Sequence, residues 1–416
     1  MTDSRVLRRK AWRPDATGPL EGVRIIDLSR VAAGNMLSLQ LADFGADVIK
    51  FEPLTGDTLR GMKIEGVETY WKVYARNKRS VALDFRRPEC IDLVKRLVAD
   101  ADALLENFRP GVMEEMGLGP EVLHAINPKL VIGRISGWGH NGPYRHKPGF
   151  GTLAEGYSGY AAISGFGDRE PLLPAIFLAD MTTGLHGAFA LMVALWNVRV
   201  KGGAGQVIEL SLLDSMLSIL GPLAANQKLT GKDKPRTGSR STTNCPRNVY
   251  QTSDGKWMAL SASTQRTAER LFRVIGREDM IGDPRFATNS ARLSNVEEVD
   301  RVVGGFIRSR TLAENLDVFD REEITVGPVY ESSDLAHDAY IIEREALAEY
   351  EDPEVGFIPM HAVTARMSAT PGVMRRPAPA VGEHTREIIE PLIGSDAYRE
   401  LADSGAVAEA RPRKKS

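Results

Sequence analysis

The strongest constraint on the fold is an alternation that runs through the first half of the chain. "GVRIIDLS" (22–29), "DVIKFEP" (47–53), "SVALDF" (80–85), "DALLENF" (102–108) and "LVIGRISGW" (130–138) are short runs of β-branched and aliphatic residues bounded by turn residues, so each reads as a strand. Between them, "NMLSLQLADFGA" (35–46) and "PECIDLVKRLVADA" (88–101) carry helical spacing, the second opened by Pro88. Strands separated by helices form βαβ units around a parallel sheet. "GQVIELS" (205–211) adds a later strand. A chain of 416 residues, 43% hydrophobic and 26% charged, is long enough to bury more than one core. The expected fold class is α/β, a Rossmann-like large domain with a parallel sheet plus a smaller α+β domain.

The composition changes along the chain. From 228 to 244 the sequence turns to Gly, Ser, Thr, Pro and Lys, which marks a linker or loop. "VYQTSDGKWMALSAS" (249–263) reads as a hairpin turning at Asp254-Gly255, and helical stretches occupy 295–323. A Pro-rich stretch then leads to a helix at 385–393. The predicted organisation is a basic tail (1–17), the first part of the large domain (18–212) and a linker helix and loop (213–234). A small domain (235–335), a return linker with the rest of the large domain (336–405) and a second basic tail (406–416) complete it.

Several function classes are set aside. A formal charge of −2 gives no overall field toward nucleic acid or an anionic membrane. The longest apolar run, Ala188–Trp196, is shorter than the ~20 residues a bilayer span needs. The two cysteines, Cys90 and Cys245, lie far apart and outside any CxxC spacing, which fits a reducing cytoplasm. The first strand–helix turn, "SRVAAGNM", has one glycine and no GxGxxG, and neither a phosphate-binding GxxxxGK[ST] nor a His pair at metal spacing occurs.

One acid stands out in "PAIFLADMTTGLHGAFALMVALW" (174–196). Leu185, Phe189, Met192 and Trp196 recur at helical spacing, so 180–200 reads as a buried helix with Asp180 at its N-cap. A carboxylate at a helix N-terminus is held ionised by the dipole, and in an apolar setting it is a candidate nucleophile. Gly184 and Gly187 leave room for backbone or ligand to approach.

Ordered along the chain are "PLEGVRIIDLSRVAAG", "LADFGADVIKFEP", "GDTLR", "NKRSVALDF", "LLENFRPGVMEEMGL", "NPKLVIGRISGWGHNGPY", "GQVIELSLLDSM" and "GEHT". Together they resemble the family III CoA-transferases, which include formyl-CoA and carnitine CoA-transferases and share a fold with the alpha-methylacyl-CoA racemases. The resemblance implies that Asp180 is the catalytic carboxylate, forming an aspartyl anhydride and then an aspartyl-CoA thioester. It implies no tightly bound cofactor, with coenzyme A entering as part of the substrate. The implied partners are an acyl-CoA donor, a carboxylate acceptor and a second copy of the chain in an interlocked homodimer. It places CoA against Val31, Ala32, Ala33, Leu83, Asn107 and Lys147, with Arg145 and His146 beside Lys147. Glu115 stands where the family often has a base, so Arg109 or Arg60 is expected to supply that contact.

The chain departs from the family pattern elsewhere. The usual "AGP" reads Ala33-Gly34-Asn35, and the common "GFD…Q" reads Phe150-Gly151 with Glu155. The racemases carry a His-Asp pair at Phe150-Gly151, and Phe150 takes no proton, so a two-base isomerase is disfavoured. Phe150 is expected at the substrate. The loop "TGSRSTTNCPRNVY" (237–250) corresponds to a lid, where Arg240 and Arg247 are expected to meet a substrate carboxylate. The alternatives are a racemase-like acyl-CoA isomerase and a non-catalytic CoA-binding protein.

Overall fold

The computed structural model describes residues 6–410. The chain divides into two compact units. The first takes the chain up to Ser158, Pro174–Gly221 and Ala339 onward, and the second takes Gly159–Leu173 and Pro222–Asp338. Of the two predicted basic tails, residues 1–5 and 411–416 lie outside the described residues.

The first unit is built on a seven-stranded sheet. Its order is Val407–Ala408, Lys78–Leu83, Asp47–Glu52, Arg24–Asp27, Ala103–Glu106, Val131–Ser136 and Gln206–Ser211. Six strands run parallel, and only Val407–Ala408 is antiparallel to its neighbour. The central strands are buried, with Ile25, Ile26, Leu104 and Leu105 fully enclosed, as a sheet covered on both faces requires. The strand order reverses between Arg24–Asp27 and Ala103–Glu106, a switch point beyond whose strand ends ligands of open α/β sheets bind.

The helices that matter for the site are α1 (Ala33–Ala42), α2 (Gly151–Tyr157) and α3 (Leu178–Arg199). α1 and α3 pack closely. A β-carbon at Gly184 would lie 2.7 Å from the Ala33 carbonyl oxygen, and one at Gly187 would lie 2.5 Å from Leu37. The space these glycines leave is filled by α1, so no room remains there for the ligand that the sequence reading allowed.

α3 is also not buried all round. Its inner face is made of Ala179, Thr183, Gly184, Ala188, Leu191 and Leu195. The Leu185, Phe189, Met192 and Trp196 stripe points outward, with Phe189 73% and Trp196 57% exposed. Both faces are apolar, so the periodicity alone did not reveal which one packs. By length and hydropathy α3 would pass as a membrane span, unlike the short run read from the sequence, but its inner face belongs to the core.

Both predicted tails enter secondary structure within the described residues. Arg9–Lys10 pairs with Glu349 and Tyr350, and Trp12 packs on Tyr350 at 4.7 Å. Val407–Ala408 closes the edge of the main sheet.

The second unit carries an antiparallel sheet ordered Val326–Pro328, Trp257–Ser261 and Arg247–Gln251, with the hairpin turning at Gly255. Its own core joins Met258, Leu260, Phe272, Val303, Ile307 and Phe319. Residues 159–173, read as large domain, belong here: Gly238 donates to the Gly165 carbonyl and Arg236 to that of Phe166. The predicted linker 213–234 divides at Gly221, with helix Leu212–Ile219 in the first unit and Leu223–Thr230 in the second.

Candidate active site

Asp180 is the third residue of α3, inside its first turn, and not the N-cap expected from the sequence. The N-cap is Phe177, which offers no side-chain acceptor. The free N–H of Ala179 is instead taken by Glu155 Oε1 from α2, at 3.1 Å. A free N–H in the first turn needs an acceptor, and the buried Glu155 supplies one from another helix.

The Ala33 N–H, in the first turn of α1, faces the Asp180 carboxylate and favours its charged form. The carboxylate also lies against Gly151, the first residue of α2, where a β-carbon would come 2.4 Å from Asp180 Oδ2. Burial, and next the Glu155 carboxylate, push the Asp180 carboxyl up to about 6, while the two backbone N–H groups oppose the rise. The sequence reading expected the helix end to hold this group firmly ionised. Desolvation wins instead, and the group remains predominantly a carboxylate at neutral pH.

The turn before α1 is fixed by a buried polar network. Val31 has a left-handed backbone (φ 61), a conformation few non-glycine residues adopt. Its N–H bonds Asp57 Oδ1 at 3.0 Å. Asn35, which departs from the family's proline, donates to the Val31 carbonyl (2.6 Å) and to Asp57 (3.1 Å), and accepts from Lys78 Nζ at 2.9 Å. Lys50 sits 3.3 Å from Asp27 and 3.2 Å from Asp57. Asn35 thus supports through its side chain a turn that proline would stiffen through its ring.

Across the switch point, Asn107 clamps the neighbouring loop. Its side chain accepts from the Arg30 N–H and donates to the Arg30 carbonyl, both at 2.7 Å. Asn107, Arg109, Lys147 and Phe150, four of the residues singled out from the sequence, line one cavity of about 130 Å³ together with Trp138 and Arg145. Lys147 Nζ lies 4.6 Å from the Tyr144 ring centre and 5.6 Å from that of Trp138. Arg145 donates to His146 at 2.9 Å. The cavity lining combines the basic Arg109, Arg145 and Lys147 with the aromatic Phe108, Trp138 and Phe150, which suits an anionic group carried on an apolar arm.

Other expectations are corrected. Leu83 is fully buried and pairs with Val407 in the sheet, so it presents no surface to a ligand. Ala32 and Ala33 are buried too, and the Ala33 N–H already faces Asp180. Arg60 does not replace the base missing at Glu115. It is buried on Glu52 at 2.7 Å and on the Pro379 carbonyl, whereas Arg109 is at the cavity. In the second unit, Arg240 is bound to Asp300 at 2.6 Å, which Tyr250 and Asn248 also hold. Arg247 lines a separate cavity of about 470 Å³ with Ser239, Asn248 and Ser261.

Asp180 thus stands half-buried in the first turn of α3 with the Glu155 carboxylate acting on it, and comparison with known proteins identifies the family. The family model of CoA-transferase family III matches residues 20–385. The chain belongs to CoA-transferase family III. It is similar to the succinyl-CoA:D-citramalate CoA-transferase of Chloroflexus aurantiacus, 39% identical over 90% of this chain and 94% of that protein. It is 31% identical to the mouse succinyl-CoA:glutarate CoA-transferase, over 95% of this chain and 92% of that one. Among solved structures, a CaiB/BaiF family protein from Brucella suis matches with a TM-score of 0.80 at 31% identity, covering 91% of this chain and all of that chain. This family III enzyme is therefore a CoA-transferase whose substrates are CoA thioesters.

Glu155 was visible in the sequence only as a departure from glutamine. Gly151 was visible only as a departure from the family pattern, with no sign of a contact to Asp180. Its role follows from a spatial contact between residues 29 positions apart.

Proposed function

We propose that this enzyme moves CoA from a succinyl-CoA-like donor to a dicarboxylate acceptor, with Asp180 as the covalent nucleophile. The observation that carries this reading is the Asp180 carboxylate itself, faced by the Ala33 N–H, pressed against Gly151 and without a cation partner among its electrostatic neighbours. The donor and acceptor class rest on the relatives, whose printed activities pair succinyl-CoA with D-citramalate, L-malate or glutarate.

In this reading an Asp180 oxygen attacks the acyl carbonyl of the donor. The C–S bond breaks, CoA thiolate leaves, and a mixed anhydride forms. The thiolate then attacks the aspartyl carbonyl, releasing the donor carboxylate and leaving an aspartyl-CoA thioester. The acceptor carboxylate attacks that thioester, and the thiolate attacks the new acyl group, restoring Asp180. No net proton is consumed. An anhydride keeps the activation of the thioester, which a serine ester would lose.

Arg109 and Lys147 are proposed to hold the CoA phosphates and Phe150 to border the acyl group, and Arg247 is proposed to bind a carboxylate within its own cavity in the second unit. Val31 is proposed to shape the CoA turn through its backbone. A second copy of the chain is proposed to cover the exposed apolar stripe of α3, as the family resemblance implies. The two unpaired buried cysteines support a cytoplasmic location. Asp180→Ala should abolish transfer while CoA binding persists. Incubation with acyl-CoA and hydroxylamine, followed by mass spectrometry, should label Asp180 alone. Substantial turnover by Asp180→Ala would refute the assignment.

A further inference from the structure

Two carboxylates meet at the start of α3, and the reaction described above uses only one. Glu155 is buried, reaches across from α2 and bonds the N–H of Ala179, the residue next to Asp180. The groups that face Asp180 are few. α1 contributes the Ala33 N–H, α3 its own first-turn N–H, and α2 the Gly151 backbone and the Glu155 carboxylate. Among the described residues, Glu155 is the charged group that acts on Asp180, and it has the same sign.

We propose that Glu155 is a positioning residue for Asp180 with two separable effects: it caps α3 in place of Phe177, and its charge destabilises the free Asp180 carboxylate relative to the acylated forms. The inference rests on Asp180 being the nucleophile. In the resting enzyme two anions share a partly desolvated site. When the Asp180 oxygen bonds to the acyl carbon and the C–S electrons leave with the CoA thiolate, Asp180 becomes neutral. The repulsion with Glu155 then vanishes. It stays absent in the aspartyl-CoA thioester and returns only when the thiolate expels Asp180 in the final step. The charge at Glu155 thus favours the covalent intermediates over the free enzyme. A neutral glutamine, the common residue of the family at this position, caps the helix equally well but supplies no repulsion.

The test compares wild type, Glu155→Gln and Glu155→Ala. Single-turnover acylation is followed against pH, and the adduct at Asp180 is trapped with hydroxylamine and quantified. Wild type should show an acid limb near pH 6. Glu155→Gln should keep the wild-type melting temperature, move the acid limb to lower pH and hold less trapped adduct at equilibrium. Each unit by which the limb moves corresponds to about tenfold less adduct. Glu155→Ala should show the same pH shift and also melt earlier, having lost the cap, so that glutamine rescues stability but not the pH profile. An unmoved limb and unchanged adduct in Glu155→Gln would overturn the proposal. So would a wild-type limb in the ordinary aspartate range, a measurement that needs no variant. Failure of the nucleophile reading is distinguishable, because wild type would then yield no adduct at Asp180.

Discussion

Gly151→Ala isolates the contact between α2 and Asp180. The new β-carbon would stand 2.4 Å from Asp180 Oδ2, while the next nearest atoms, Asp180 Cγ and Ala179 Cβ, are 3.6 and 3.8 Å away. Only the carboxylate end must yield. To reach an ordinary 3.4 Å contact the oxygen retreats by roughly 1 Å, which a side chain achieves by rotation without moving either helix. A misplacement of roughly 1 Å at a reacting group costs about 100-fold in rate, or ~2.7 kcal/mol of barrier. The fold should tolerate the change, since Gly151 opens α2 and alanine is the better helix former there. The expected result is a single-turnover acylation rate about two orders of magnitude below wild type, with an unchanged KM for acyl-CoA and an unchanged melting temperature. Acylation is read by rapid quench and mass of the Asp180 peptide, stability by calorimetry. A rate within threefold of wild type would mean that the reactive carboxylate does not sit against α2, and the geometric argument would fail.

Asp180→Asn should stabilise the protein at pH 7.5 by ~3 kcal/mol, because the half-buried carboxylate carries a desolvation cost whenever it is ionised. The native carboxyl is raised from 3.8 to about 6, so that cost is fully present above pH 6 and fades as pH falls toward 3.8. Paired melting curves at pH 7.5 and 4.5 should show the gain shrinking, and a pH-independent gain would contradict the assigned environment. Arg247→Gln should raise the KM for a dicarboxylate acceptor at least tenfold while leaving a monocarboxylate unaffected, as steady-state kinetics with both acceptors would reveal. Lys147→Ala should weaken CoA binding by calorimetry and flatten its dependence on salt, with little change in the acylation rate at saturation; equal affinity would remove Lys147 from the phosphate site.

The large-domain architecture was legible because its parallel strands are buried on both faces and their apolar runs announce themselves, as at Ile25-Ile26 and Leu104-Leu105. Helix 385–393 matches Thr385–Ile393. The orientation of α3 was not legible. Its packed face combines Thr183, Gly184, Gly187 and Ala188 with Leu191 and Leu195, and its outer face carries Leu185, Phe189 and Trp196, so large apolar residues stand on both faces. Small residues mark a close helix crossing, a signal that counting large apolar side chains overlooks. Within the site, Asp180 stood out as a lone acid in an apolar run, but its cap came from Glu155 on another helix, and sequence spacing carries no record of that. Leu83 matched by position and proved to be core because Val407–Ala408, read as tail, covers its strand. Arg240 and Arg247 were indistinguishable in sequence, and only the Asp300 partner separates them.

The crossing of α1 and α3 has a consequence for how such an enzyme diversifies. In the proposed reading the nucleophile is placed by main-chain atoms, by glycines whose missing side chains make the fit and by the Glu155 side chain, so few exchangeable side chains contribute to its placement. Drift in the surrounding sequence therefore leaves the reactive centre in register. The Arg247 cavity, by contrast, is walled by side chains on a separately folded unit with its own core, where a substitution alters shape and charge without touching the crossing. On the proposed reading, a lineage built this way can try new acceptors one replacement at a time while inheriting the acyl-transfer step intact.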